Sequence, residues 1–232
     1  MIKAIVFDLD GTLHDQDSGE RAALERLYRQ DVPLNPLPGY ADFLRVWRNT
    51  ADQYLDQYHQ GNMSFEEQRV RRVMDLHANY GKTLSLESAR QLNEKYVSYY
   101  EKEWRPYPDA LPALDALKLK FRLGAISNGD GVRQRGKIKS CGLEPYFESV
   151  VISGESGVAK PDKGIFEISR KAFGLVPEEM AYVGDRVEID VLGARNAGWK
   201  GIWIDRKGMP PGMPGGDPAT ISSLSELLSK LS

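Results

Sequence analysis

Five short, almost wholly apolar runs constrain this chain more than any other feature: residues 2–7 (IKAIVF), 121–127 (FRLGAIS), 149–153 (SVVIS), 180–185 (MAYVGD) and 201–205 (GIWID). A strand with one wet face alternates apolar and polar residues, and these runs do not. They therefore predict strands buried on both faces, in a parallel sheet covered by helices. Stretches of helical spacing flank the last four, near 109–119, 130–140, 162–173 and 188–197, three of them closed by glycines in CGL, FGL and AGW. Strands alternating with helices give a Rossmann-like α/β fold, whose ligands bind at the carboxyl ends of the strands.

Residues 16–105 break the alternation. Phe43, Trp47, Thr50, Tyr54 and Tyr58 step by three or four, as do Leu92, Tyr96, Tyr99 and, further on, Trp104. SFEE at 64–67 fits a capping box. Four helices are expected, near 19–30, 39–60, 65–80 and 86–104, forming an α-helical bundle inserted into the α/β core. The expected division is a core of residues 1–15 and 106–232 and an inserted cap of residues 16–105, with hinges at 13–18 and at 104–108. Eight of the eleven tyrosines fall in the insert; at helical spacing they read as packing residues. The run EEQRVRR at 66–72 reads as a solvated helix face. The segment 206–218, rich in proline and glycine, reads as a loop leading to a closing helix at 222–231.

Composition excludes several functions. Lys and Arg number 31 against 33 Asp and Glu, so there is no global field for nucleic acid or an anionic membrane. The single cysteine, Cys141, forms no intramolecular disulfide and reads as a packed thiol. No apolar stretch reaches membrane-spanning length and no signal-peptide core opens the chain, which predicts a soluble, cytoplasmic protein.

Polar residues gather at the predicted strand ends. Asp8 and Asp10 follow the first strand, Ser127, Asn128 and Gly129 the second, Lys160 and Pro161 the third, and Gly184, Asp185 and Asp190 the fourth. Each has an ordinary explanation as turn, cap or surface charge. Together, at one sheet edge, they make chemical sense: Asp8, Asp10 and Asp185 are hard oxygen ligands suited to Mg2+. Ser127, helix-start N–H groups and Lys160 form an anion cradle. A cation between carboxylate and phosphate cancels their repulsion, which makes an aspartyl-phosphate intermediate reasonable.

At these residues the sequence resembles the haloacid dehalogenase superfamily, in its branch of phosphatases with an inserted helical cap. FDLDGT, ISNGD, VAKPD and VGDRVEID correspond to its four motifs, in order. The resemblance implies Asp8 as nucleophile and Asp10 as general acid and base. It implies Mg2+ held by Asp8, the Asp10 main-chain carbonyl and Asp185, with Asp190 behind them. Ser127 and Lys160 would hold phosphoryl oxygens, helped by Thr12, Asn128 and Gly129. The pattern departs from many relatives at Ile189, where a small polar residue is usual. His14 reads as a packed hinge residue; His59 and His77 have no metal-ligand partners at useful spacing.

The family hosts several reactions. Asp10 argues for phosphoryl transfer over dehalogenation. Residues 16–60 hold no lysine for phosphonate cleavage, and DSGERAALERL holds no histidine of the sugar-phosphomutase kind. The expectation is a Mg2+-dependent phosphatase whose cap closes over a small phosphorylated metabolite. The alternatives are a sugar phosphomutase, a dehalogenase-type hydrolase and a non-catalytic binding protein.

Overall fold

The computed structural model describes residues 1–59, 62–208 and 219–231. Two compact units divide the chain, one of residues 1–16 with 104–232 and one of residues 17–103.

The first unit is built on a six-stranded, all-parallel sheet in the order β3-β2-β1-β4-β5-β6. Its strands are β1 (Ala4–Phe7), β2 (Arg122–Ser127), β3 (Ser149–Ile152), β4 (Met180–Gly184), β5 (Lys200–Ile204) and β6 (Ala219–Ile221). The first five are the predicted strands. The sixth was not expected, because three residues, Ala219, Thr220 and Ile221, are too few to show a period. Of the predicted loop at 206–218, residues 209–218 lie outside the described residues.

Both faces of the sheet are covered, which is why its strands carry no polar face. In β1, Ile5 and Phe7 pack with Leu114, Leu123, Val183 and Ile202 on one side. Ala4 and Val6 pack with Ile126, Phe166, Tyr182 and Trp199 on the other. Helices α5 (Ala110–Leu117) and α6 (Gly131–Ser140) serve the first face, α8 (Lys163–Phe173) and α9 (Leu192–Asn196) the second. A one-turn helix, α7 (Ser153–Ser156), follows β3, and α10 (Leu227–Leu231) closes the chain. Phe166 anchors the second face, with edge-on contacts to Tyr182 and Trp199 at centroid distances of 5.3 and 5.5 Å.

Register gathers the strand ends. Phe7 lies level with Ala125 on one side and Val183 on the other, so Asp8, Ser127 and Asp185 all emerge at the same edge. The predicted helix at 188–197 starts instead as a wide π-type turn, Val187–Val191, in which Leu192 N–H reaches back to Val187 O. The segments that join the units run side by side: Asp15 N–H donates to Arg105 O and Tyr107 N–H to Leu13 O.

The second unit holds α1 (Gln16–Gln30), whose first residue belongs to the other unit, with α2 (Tyr40–His59), α3 (Phe65–Ala78) and α4 (Leu86–Lys102). Ser64 caps α3 by accepting from Glu67 N–H at 3.1 Å, the first half of the expected capping box, while the Glu67 side chain accepts from Arg71 at 3.0 Å instead of closing it. Phe43, Trp47, Thr50 and Tyr54 form the buried stripe of α2, and Trp47 packs on Tyr96 at 4.8 Å between centroids. The expectation for 66–72 needs correction. Glu66, Glu67 and Arg71 face solvent, but Gln68, Val70 and Arg72 are buried.

Phe166→Ala should cost about 3–5 kcal/mol through the cavity it leaves beneath the sheet, read as a lowered urea midpoint.

Candidate active site

Two charge clusters stand at the carboxyl edge of the sheet. The first surrounds Lys160, whose ammonium is buried and donates three hydrogen bonds: to Asp8 Oδ1 at 2.6 Å, Asp190 Oδ1 at 2.7 Å and the Tyr182 hydroxyl at 2.8 Å. An ammonium has three protons, so all are committed. The Tyr182 hydroxyl passes its own proton to Ile126 O at 2.9 Å. Asn128 holds the lysine's main chain, accepting from Lys160 N–H at 2.8 Å and donating to Lys160 O at 2.9 Å. One of its two amide protons and its amide oxygen are thereby engaged.

Asp190 is held from both ends, since its second oxygen accepts from Arg186 N–H at 2.9 Å. The wide turn brings it there, and Gly184 makes the room: a Cβ at Gly184 would lie 2.4 Å from Asp190 Cγ. Gly11, at φ 81°, does the same for Asp185, whose Oδ2 would lie 2.4 Å from a Cβ there. One oxygen of each of Asp8, Asp185 and Asp190 falls within 4.8 Å of the others.

The second cluster surrounds Asp10. Lys137 donates to both its oxygens, at 2.7 and 2.6 Å. His14 Nδ1 meets Oδ1 at 2.8 Å and Gln134 Nε2 donates to Oδ2 at 3.0 Å. Gln134 also donates to Ser127 Oγ at 2.5 Å and to Asn128 O at 3.1 Å, which couples Ser127 to Asp10. His14 is buried, as a packed hinge residue would be, yet it is also a partner of Asp10. Gly129 N–H is spent on Ser153 Oγ at 2.9 Å. Among the described residues, Thr12 Oγ1 is buried with no hydrogen-bond partner. His77 bonds Val73 O within α3; the side chain of His59 lies outside the description.

The clusters have opposite electrostatics. Burial raises the proton affinity of Asp8, and nearby Asp190 and Asp185 add to the effect against the pull of Lys160. Burial would lower that of Lys160, but Asp190 and Asp8 outweigh it and keep the ammonium charged. Asp185 is pushed up to about 6 by burial and by Asp190. Three carboxylates thus share one cation, an arrangement short of positive charge. At Asp10 burial acts upward too, but Lys137 and His14 overcome it and hold the carboxyl far below its usual range.

The donor set fits a small divalent cation. Asp185 Oδ1 is buried without a hydrogen-bond partner, and among the described residues Lys160 is the one donor on the Asp8 carboxylate. Two open carboxylate oxygens at a site deficient in positive charge are what Mg2+ takes, alongside water.

Sequence reasoning missed Lys137, Gln134 and Tyr182. Gln134 and Lys137 carried a signal, since they lie three residues apart on the helix that starts just after Ser127. Tyr182 carried a weaker one, a hydroxyl in an otherwise apolar strand two residues before Gly184.

Known proteins agree with this geometry. The haloacid dehalogenase-like hydrolase family matches residues 2–198. Glyceraldehyde 3-phosphate phosphatase of Pyrococcus abyssi is 32% identical over 212 residues, covering 88% of this chain and 82% of its own. Phosphoserine phosphatase of Thermus thermophilus is 31% identical, covering 94% of each. The structure of the HAD-hydrolase YfnB from Bacillus subtilis, bound to magnesium, superposes with a TM-score of 0.84 at 25% identity, over 100% of this chain and 99% of that one. A parallel sheet with an acid-rich carboxyl edge, matched along most of its length, defines a hydrolase. The chain belongs to the haloacid dehalogenase-like hydrolases.

Without a cation, Asp185 binds a proton in the folded protein between its ordinary 3.8 and about 6, where the unfolded chain has lost it. Stability from this group therefore falls as pH rises through that window. Asp185→Asn should stabilise the cation-free protein by about 1–3 kcal/mol near pH 7. Denaturant titrations should show the gain vanishing below about pH 4; a gain independent of pH would contradict the charge argument.

Proposed function

We propose that this chain is a Mg2+-dependent phosphatase acting on a phosphate monoester of a small metabolite through an aspartyl-phosphate. One observation carries the reading: Asp8 has one oxygen anchored on Lys160 and the other open, beside the unpartnered oxygen of Asp185. In this reading residues 1–15 and 106–232 form the catalytic domain and residues 16–105 the cap domain. Similarity to phosphatases of small phosphorylated compounds supports the substrate class.

Asp8 and Asp185 side chains and the Asp10 carbonyl would hold Mg2+, which supplies charge neutralisation between nucleophile and phosphoryl group. One oxygen of Asp8 would hold Mg2+ and the other attacks phosphorus as its bond to the leaving oxygen breaks, while Lys160 orients the carboxylate through Oδ1. Lys160 acts mainly as charge partner and orienter, because its three protons rest on protein acceptors. The Ser127 hydroxyl accepts from Gln134 and donates to Asn128 O only at 3.5 Å, a long bond it can exchange for a phosphoryl oxygen; Thr12 has an unused hydroxyl for the same task.

Asp10 gives a proton to the leaving oxygen and later takes one from the water that cleaves the acyl phosphate. Lys137 and His14 keep it ionised in the resting site, the form a base requires. An arriving phosphate dianion raises its proton affinity, since like charge favours the neutral acid, and the proton it then takes up from solvent is the one it gives to the leaving oxygen.

Turnover of an aryl phosphate should require Mg2+ and stop with EDTA. Asp8→Asn should reduce it to background, and Asp10→Asn should lower kcat by about 10²–10⁴-fold. Turnover untouched by EDTA or by Asp8→Asn would refute the reading.

A further inference from the structure

Three acids converge at the carboxyl edge, Asp8, Asp185 and Asp190, and two of them are tied there by their side chains. Asp8 is bonded to Lys160, and Asp190 to Lys160 and to Arg186 N–H. Asp185 differs, since among the described residues its Oδ1 is buried with no hydrogen-bond partner. That oxygen is therefore aimed by the main chain that carries it. Strand pairing does not hold that main chain: β4 ends at Gly184, level with Trp203 of β5, and Asp185 is the first residue beyond.

Trp203 reaches across this gap. Its indole N–H donates to Asp185 O at 3.0 Å. The ring is buried and packs with Val187 and Val191, the first and last residues of the wide turn, with Leu192 against them. One side chain thus holds the chain on both sides: the carbonyl of Asp185 by a hydrogen bond, and the turn that delivers Asp190 by contact. Burial alone does not impose such a bond in this chain. Trp47 Nε1 and Trp199 Nε1 are buried too and, among the described residues, have no partner. Trp203 places its one donor on the acid that ends the neighbouring strand.

We propose that Trp203 is a positioning residue for a divalent cation, its indole N–H fixing Asp185 O so that the Asp185 carboxylate stays within reach of Asp8. A carboxylate left free to turn loses that freedom when it meets a cation, and one already held loses less. Trp203 acts through Asp185 rather than on the cation itself. The inference rests on the reading of Asp185 as a Mg2+ ligand.

Two substitutions separate the bond from the packing. Trp203→Phe keeps an aromatic ring against Val187 and Val191 but removes the N–H. Trp203→His loses the six-membered ring, yet imidazole overlies the five-membered half of indole and offers Nε2–H where Nε1–H stood. Calorimetric titration with Mg2+ is done at about pH 8, where an ordinary imidazole is neutral. The dissociation constant should rise about tenfold in Trp203→Phe and stay within about twofold of wild type in Trp203→His, although histidine lowers the melting temperature more. At limiting Mg2+ the phenylalanine variant should turn over an aryl phosphate slowly, and saturating Mg2+ should restore the wild-type kcat. Equal Mg2+ affinity in wild type and Trp203→Phe would overturn the proposal. So would losses of affinity that follow the losses of melting temperature, or a kcat deficit that Mg2+ does not repair. If the wild type itself binds no Mg2+, the reading of Asp185 and the role of Trp203 fall together. If Mg2+ binds as expected and no ester is hydrolysed, the phosphatase reading fails and Trp203 keeps its role.

Discussion

One buried ammonium makes the acidic edge of the sheet possible. Asp8 and Asp190 approach each other in an interior where like charges repel strongly, and Lys160 stands between them with a proton on each. Tyr182 takes the third proton and ties it to the main chain of the neighbouring strand. Removing a charge from water is expensive, and an ion pair recovers that cost only when its geometry is good and its remaining protons are satisfied. Both conditions hold for Lys160. What remains is a deficit of positive charge, with Asp185 left over.

The edge is divided into two electrostatic districts. Around Lys160 acids outnumber cations, and proton affinities rise; around Asp10 the balance reverses, and the carboxyl stays ionised. Asp8 and Asp10 are two residues apart, so the sequence makes them look equivalent. Their neighbours make them different: a buried lysine from the loop after β3 for one, a lysine and a glutamine from α6 for the other. Ser127, at the end of β2, is bonded through Gln134 to Asp10.

Much of this was legible in the sequence because it rests on local patterns. Apolar runs marked β1 to β5, the serine before FEE marked the start of α3, and acids and a lysine at successive strand ends marked the edge. Lys137 escaped because a lysine on a polar helix looks solvated until the helix is docked. Arg72 escaped for the same reason within EEQRVRR, where its neighbours Glu66, Glu67 and Arg71 do face solvent. The wide turn that delivers Asp190 depends on one backbone hydrogen bond skipping a residue, and β6 has three residues and no pattern. These features are tertiary, and periodicity carries no record of them.

The strand order has a bearing on synthesis. The central pair, β1 and β4, comes from Ala4–Phe7 and Met180–Gly184, so the two strands that bring Asp8 and Asp185 together are made first and nearly last. A growing chain must carry its most apolar strand without that neighbour while the whole helical unit is made. Only a chain that has grown past Asp185 and Asp190 holds both halves of the acidic cluster, and so the cluster forms late in the assembly of the sheet. A chain that ended before β4 would bear Asp8 and Asp10 without Asp185 and Asp190, the acids that complete the cluster.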